Sequence, residues 1–176
     1  MATSTSSEFP PASLRPLVQE VANLLKERKE TISVAETAAG GIISAALLAT
    51  PGASGFYRGG LTLYTLESRV ALAGWTSAEV ANYQGPTPAI VAGLAEHVRS
   101  TLQSTYTVAE SGTAGPGAGP TRRTPGYVAL AVSSPQGTYT REIDTGLGDD
   151  REKNMVAFAA EALKLVRDVL TGEAKL

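Results

Sequence analysis

Apolar residues recur at helical spacing near the start of the chain. Leu14, Leu17, Val18, Val21, Leu24 and Leu25 share one face, and Glu20, Lys26 and Arg28 lie off it. The pattern predicts an amphipathic helix from Ser13 to about Lys29. Thr31-Ile-Ser-Val-Ala35 then alternates and is rich in β-branched residues, so it reads as a strand. Gly40-Gly41 interrupts, Ile42 to Leu48 suits a buried helix, and Pro51-Gly52 ends it. Leu61 to Tyr64 reads as a second strand, led in by Phe56-Tyr-Arg-Gly-Gly. Glu67 to Ala73 fits a short helix. Thr87-Pro88 forms an N-cap and first-turn pair for a helix reaching about Thr105, with Ile90, Val91, Leu94, Val98 and Leu102 on one face. Tyr106–Ala109 is a third strand, followed by a Gly/Pro/Thr-rich loop from Gly112 to Gly126. Tyr127–Val132 and Thr138–Ile143 read as a hairpin around Pro135-Gln-Gly. A last helix from about Asp150 to Leu170 carries Met155, Phe158, Ala159, Ala162, Val166, Val169 and Leu170 as its stripe. Alternating helices and strands, closed by a hairpin and a helix, imply one layered α/β domain on a mixed sheet.

Composition narrows the chemistry. Among 176 residues there is no cysteine and one histidine, which excludes a disulfide framework, a cysteine-based zinc site and a cysteine nucleophile. A Ser-His-Asp arrangement would have to use His97, which reads better as a solvated or edge-of-face helix residue. The net charge of −2 offers no basic excess for nucleic acid or an anionic membrane. No apolar run approaches the roughly 20 residues of a membrane span. Residues 1–12 are small and polar and read as a flexible extension without a signal peptide, 13–171 as the domain, and 172–176 as a tail. No spaced ligand set argues for a metal, and the adjacent Asp149-Asp150 suits the N-terminus of the last helix instead.

Two segments are rich in glycine at strand ends, where open α/β sheets bind ligands. These are Ala35-Glu-Thr-Ala-Ala-Gly-Gly41 and Glu110-Ser-Gly-Thr-Ala-Gly-Pro-Gly-Ala-Gly119. Freed backbone N–H groups there can cradle phosphate, or both can be plain connecting loops. Neither is a Walker A loop, and neither fits G-x-G-x-x-G. Arg122-Arg123 reads as a solvated pair or a phosphate contact, Trp75 as a packing anchor, and Tyr64 as a pocket wall or a strand packing residue.

Val34-Ala-Glu-Thr-Ala-Ala-Gly-Gly41 resembles the Ala-Glu-Ser-Cys-Thr-Gly-Gly motif of the CinA C-terminal domain family. The likeness continues in order. Pro51-Gly-Ala-Ser-Gly-Phe-Tyr-Arg-Gly59 is similar to its Gly-Ser-Ser, aromatic, Arg-Gly segment. Tyr64-Thr-Leu-Glu-Ser-Arg69 is similar to Tyr-Ser-Asn-Glu-Ala-Lys, and Glu110-Ser-Gly-Thr-Ala-Gly-Pro116 to Thr-Gly-Ile-Ala-Gly-Pro. Pro125-Gly-Tyr-Val128 and Gly148-Asp-Asp-Arg151 follow the family's Pro-Val-Gly-Thr-Val and Gly-Asp-Arg. The resemblance, from about Ser13 to Leu170, implies a single three-layer domain with a mixed central sheet packed between helices. It also implies a cytoplasmic amidohydrolase of NAD metabolism, without cofactor or metal and commonly a homo-oligomer. Such an enzyme converts nicotinamide mononucleotide and water to nicotinic acid mononucleotide and ammonia, with a serine nucleophile and a lysine base.

By that resemblance Thr37 stands at the nucleophile position, Arg69 at the base position and Tyr64 beside them. Glu36, Gly40, Gly41, Arg58, Ser111, Gly112, Thr113, Ala114, Gly115 and Arg151 stand where the nucleotide would be bound. Thr37 keeps a hydroxyl, with a methyl crowding the attack. Arg69 stays protonated and cannot act as a general base at neutral pH. Ala38, Ala39 and Leu66 replace polar family residues. Arg69 is therefore expected to pair with Glu36 or Glu67 or to bind an anion. Three readings remain open: an altered amidohydrolase, a catalytically impaired nucleotide-binding protein, and a structural protein on the same fold.

Overall fold

A computed structural model describes residues 8–118 and 123–176. Most of the expected N-terminal extension, and Arg122 of the arginine pair, lie outside the described residues. The chain runs α1 (Arg15–Arg28), β1 (Ile32–Glu36), α2 (Ile42–Leu48), β2 (Tyr57–Thr62), α3 (Leu66–Leu72), α4 (Ser77–Ala81), α5 (Pro88–Leu102), β3 (Tyr106–Gly112), β4 (Tyr127–Ser134), β5 (Gly137–Asp144) and α6 (Arg151–Thr171).

The strands form one mixed sheet in the order β2-β1-β3-β4-β5. β1 pairs parallel with β2 and β3, while β3-β4 and β4-β5 are antiparallel. Alternation along the strands separates two cores. Ile32, Val34, Val108, Val128, Leu130 and Val132 face α1, α2 and α6. The small residues Ala35, Ala109, Ala129 and Ala131 face α5 together with Leu63 and Ala73. The result is the expected three-layer α/β domain. Among the described residues no helix is long and apolar enough to cross a membrane.

Several elements differ from the sequence expectation. β1 is buried at all five positions, because a central parallel strand covered on both faces has no solvent side. Its Ser33 is satisfied by the hydroxyls of Ser104 and Thr107. β2 spans Tyr57–Thr62, not Leu61–Tyr64. Its glycines are tolerated on an edge strand, and at Gly60 a Cβ would sit 2.4 Å from Ser44 Oγ and 2.7 Å from the Tyr57 hydroxyl, so those side chains would have to move. α4 was not expected, although Thr76 and Glu79 form a reciprocal capping box at its start.

The site is positioned by topology. The chain leaves the carboxyl end of β1 toward β2 and leaves the carboxyl end of β3 toward β4. The crevice between β1 and β3 is therefore the switch point at which open α/β sheets bind ligands.

Candidate functional site

A pocket of about 480 Å³ opens at this crevice. Its wall is built from Thr37 and Ala38 after β1, Tyr64–Leu66 and Arg69 around the start of α3, Tyr83 and Gln84, Ser111–Ala118, and Arg151 of α6. The fold thus brings together Thr37, Tyr64, Arg69, Ser111, Gly112, Thr113, Ala114, Gly115 and Arg151. Glu36, Gly40, Gly41 and Arg58 are not among the lining residues. Arg58 is exposed on the edge strand β2.

The β1–α2 turn, which the resemblance placed at the ligand, makes its hydrogen bonds inside the protein. Glu36 is fully buried, and its carboxylate accepts from the N–H groups of Gly41 (3.0 Å), Ile43 (3.0 Å) and Ser44 (2.8 Å). It serves the orphan donors and positive end of α2. Gly40 and Gly41 are turn residues, with φ of +69° and +101°. Glu110 lies in register beside Glu36 on β3, and its Oε2 accepts from Thr37 N–H (3.1 Å) and Ala39 N–H (2.9 Å). The turn's donors are therefore spent on two internal carboxylates. Replacing Glu36 by Gln puts an amide NH₂ against backbone donors. We expect a loss of about 2 kcal/mol in urea unfolding, as for other disrupted buried charge-assisted bonds. A neutral result would mean that these amide bonds do not anchor the start of α2.

Thr37 is 3 % exposed, and its hydroxyl donates to Ser111 Oγ at 3.0 Å. Among the described residues, no lysine, histidine or carboxylate lines the pocket. Arg69 is also 3 % exposed. Its Nε donates to the Leu63 carbonyl oxygen at 3.2 Å, and its Nη1 is buried without a partner. The guanidinium lies 5.0 Å from the ring centroids of both Trp75 and Tyr83. The expected pairing with Glu36 or Glu67 is not made: Glu36 is committed to α2, and among the described residues Arg69 has no ion pair. A planar, weakly hydrated cation packs well against aromatic faces.

At the mouth, Arg151 donates to the Gly115 carbonyl oxygen (2.6 Å) and the Tyr64 hydroxyl (3.2 Å). Tyr64 is 59 % exposed, beyond β2, so it is a pocket wall and not strand packing. Asp150 caps α6 as expected, whereas Asp149 accepts from Gly117 N–H at 2.8 Å. Arg123 stacks on Tyr127. His97 sits half-buried against Gly74.

Sequence reasoning missed four contributors. Asn154, fully buried, donates to the carbonyls of Ala114 (3.0 Å) and Gly148 (2.8 Å) and ties the glycine-rich loop to α6. Tyr83 carried no motif, and Trp75 joins it as a clamp (rings 5.8 Å apart). Glu110 stood inside the second glycine-rich segment, where a charged residue in the middle of a buried strand was the available signal.

The model for the CinA C-terminal domain matches residues 14–170. A CinA-like protein of Frankia casuarinae is 35% identical over 86% of this chain and 34% of its own length, and one of Prochlorococcus marinus is 33% identical over 87% and 34%. The chain thus spans about a third of the length of the curated relatives it matches. A competence or damage-inducible protein from Enterobacter asburiae superposes with a TM-score of 0.82 at 24% identity, covering 89% of this chain and 98% of its own. A CinA superfamily protein from Klebsiella pneumoniae gives 0.83 at 22% identity over 90% and 98%. These likenesses establish the shared fold.

Proposed function

This chain belongs to the CinA C-terminal domain family, and from that membership we propose that it binds a phosphorylated pyridine nucleotide of the nicotinamide mononucleotide class while hydrolysing the carboxamide poorly. The observation that carries the reading is the state of Arg69. Amide hydrolysis by a hydroxyl nucleophile needs a neighbour that takes its proton. The guanidinium clamped by Trp75 and Tyr83 is held as a cation, and the Thr37 hydroxyl donates to another hydroxyl. Binding features survive: a deep pocket at the switch point, two arginines and a glycine-rich wall. Loss of a general base lowers rates by ~10²–10⁴-fold.

The test combines calorimetry with nicotinamide mononucleotide and an ammonia assay on the purified protein. Saturable binding is expected, with turnover at least ~10²-fold below the common enzyme range of 1–10³ s⁻¹. Turnover within that range would restore the amidohydrolase reading. Absence of both binding and turnover would favour a structural protein on this fold.

A further inference from the structure

We propose that the floor of this pocket is a carboxylate receptor, so that the protein binds the acid form of its pyridine nucleotide in preference to the carboxamide form. The inference rests on the nucleotide reading above and specifies the group that the ligand presents to Arg69.

The position of the guanidinium is set by the backbone. Leu63 N–H donates to the Glu36 carbonyl oxygen at 2.7 Å, and the Leu63 carbonyl oxygen accepts from Arg69 Nε at 3.2 Å. Glu36 is followed by Thr37, so the cation is held at the carboxyl end of β1. Arg69 and Thr37 share the pocket wall with Ser111. Arg69 is 3 % exposed and, among the described residues, has no carboxylate partner. Of the two carboxyls buried at the carboxyl ends of β1 and β3, Glu36 is committed to α2 amides, and Glu110 accepts from Thr37 and Ala39 through Oε2 while its Oε1 makes no bond.

A buried cation without a counter-charge is costly. The aromatic faces of Trp75 and Tyr83 offset part of that cost but accept no ordinary N–H···O bond, and Nη1 is left without a partner. A ligand carboxylate supplies what is missing: negative charge and two acceptor oxygens in the fork geometry that a guanidinium prefers. A carboxamide supplies one acceptor and turns an NH₂ donor toward guanidinium donors. Phosphate is the other anion such a ligand carries. Arg151, exposed at the mouth and beside Gly115, is the better-placed cation for it.

The test is calorimetry of the unmodified protein with nicotinic acid mononucleotide and nicotinamide mononucleotide at equal pH and ionic strength. The acid is expected to bind at least ~10-fold tighter, in the range by which charge-assisted hydrogen bonds exceed neutral ones. Arg69→Met, which keeps an unbranched apolar stem beside Trp75 and Tyr83, is expected to bind both forms alike. The comparison in the unmodified protein stands even if that variant does not fold. Equal affinities, the result if Arg69 reads phosphate, or a preference for the amide would overturn the carboxylate receptor and leave the nucleotide reading standing. Binding of neither form would overturn both.

Discussion

Changing Thr37 to Ser and Arg69 to Lys together raises ammonia release from nicotinamide mononucleotide by ~10²-fold or more, while Thr37→Ser alone moves it little. The asymmetry follows from what each position lacks. Thr37 retains its hydroxyl and hydrogen-bonds Ser111, so its extra methyl costs access but not chemistry. Arg69 lacks a deprotonated form at any working pH. A lysine in the same buried place loses its charge more readily, because desolvation pushes an amine's pKa down. Trp75 and Tyr83 work against this by favouring the ammonium, so the gain falls short of a fully competent base. Steady-state ammonia release from the two single variants and the double variant is the measurement. If Thr37→Ser alone recovers most of the rate, nucleophile crowding is the defect and the role assigned to Arg69 fails.

The architecture was legible because its signals are local and redundant. α2 begins and ends where the alanine-rich run predicts, between a glycine pair and Pro51-Gly52. The stripe of α6 and the hairpin turn were equally direct. β2 was misplaced because an edge strand needs no hydrophobic alternation, and its Tyr-Arg-Gly-Gly start carries little. At the site, the motif segments meet at one crevice, but residue type does not state each side chain's partners. Glu36 stands inside a motif, and its carboxylate meets the amides at the start of α2. Whether a carboxylate meets solvent or backbone amides depends on the pleat phase and on the helix that follows, which no motif states. The contact on Arg69 joins a residue of α3 to Trp75 before α4 and Tyr83 after it. Its parts are individually ordinary, so only the folded chain makes them a unit.

Stability of the unmodified protein falls between about pH 4.5 and 7 relative to a Glu110→Gln variant, by about 3 kcal/mol over that span. Burial pushes the Glu110 carboxyl up to about 7; N–H donors of Ala39 and Thr37 pull it down, and the neighbouring Glu36 charge pushes it up again. In the unfolded chain the same group ionises near its ordinary value of about 4.3. Between these values the folded protein holds a proton that the unfolded chain has released. The native state thus binds more protons, and raising the pH favours unfolding. Below about pH 4.5 both states are protonated and the penalty vanishes. Glutamine keeps a carbonyl oxygen for the Thr37 and Ala39 donors and does not titrate. Groups held low in the native state, such as Asp168 beside Arg141 and Arg167, act in the opposite sense and cancel in the difference. Urea unfolding of both proteins at pH 5, 6, 7 and 8 gives the curve. A difference that stays flat across the series would mean that Glu110 is ionised throughout and that its amide donors outweigh its burial.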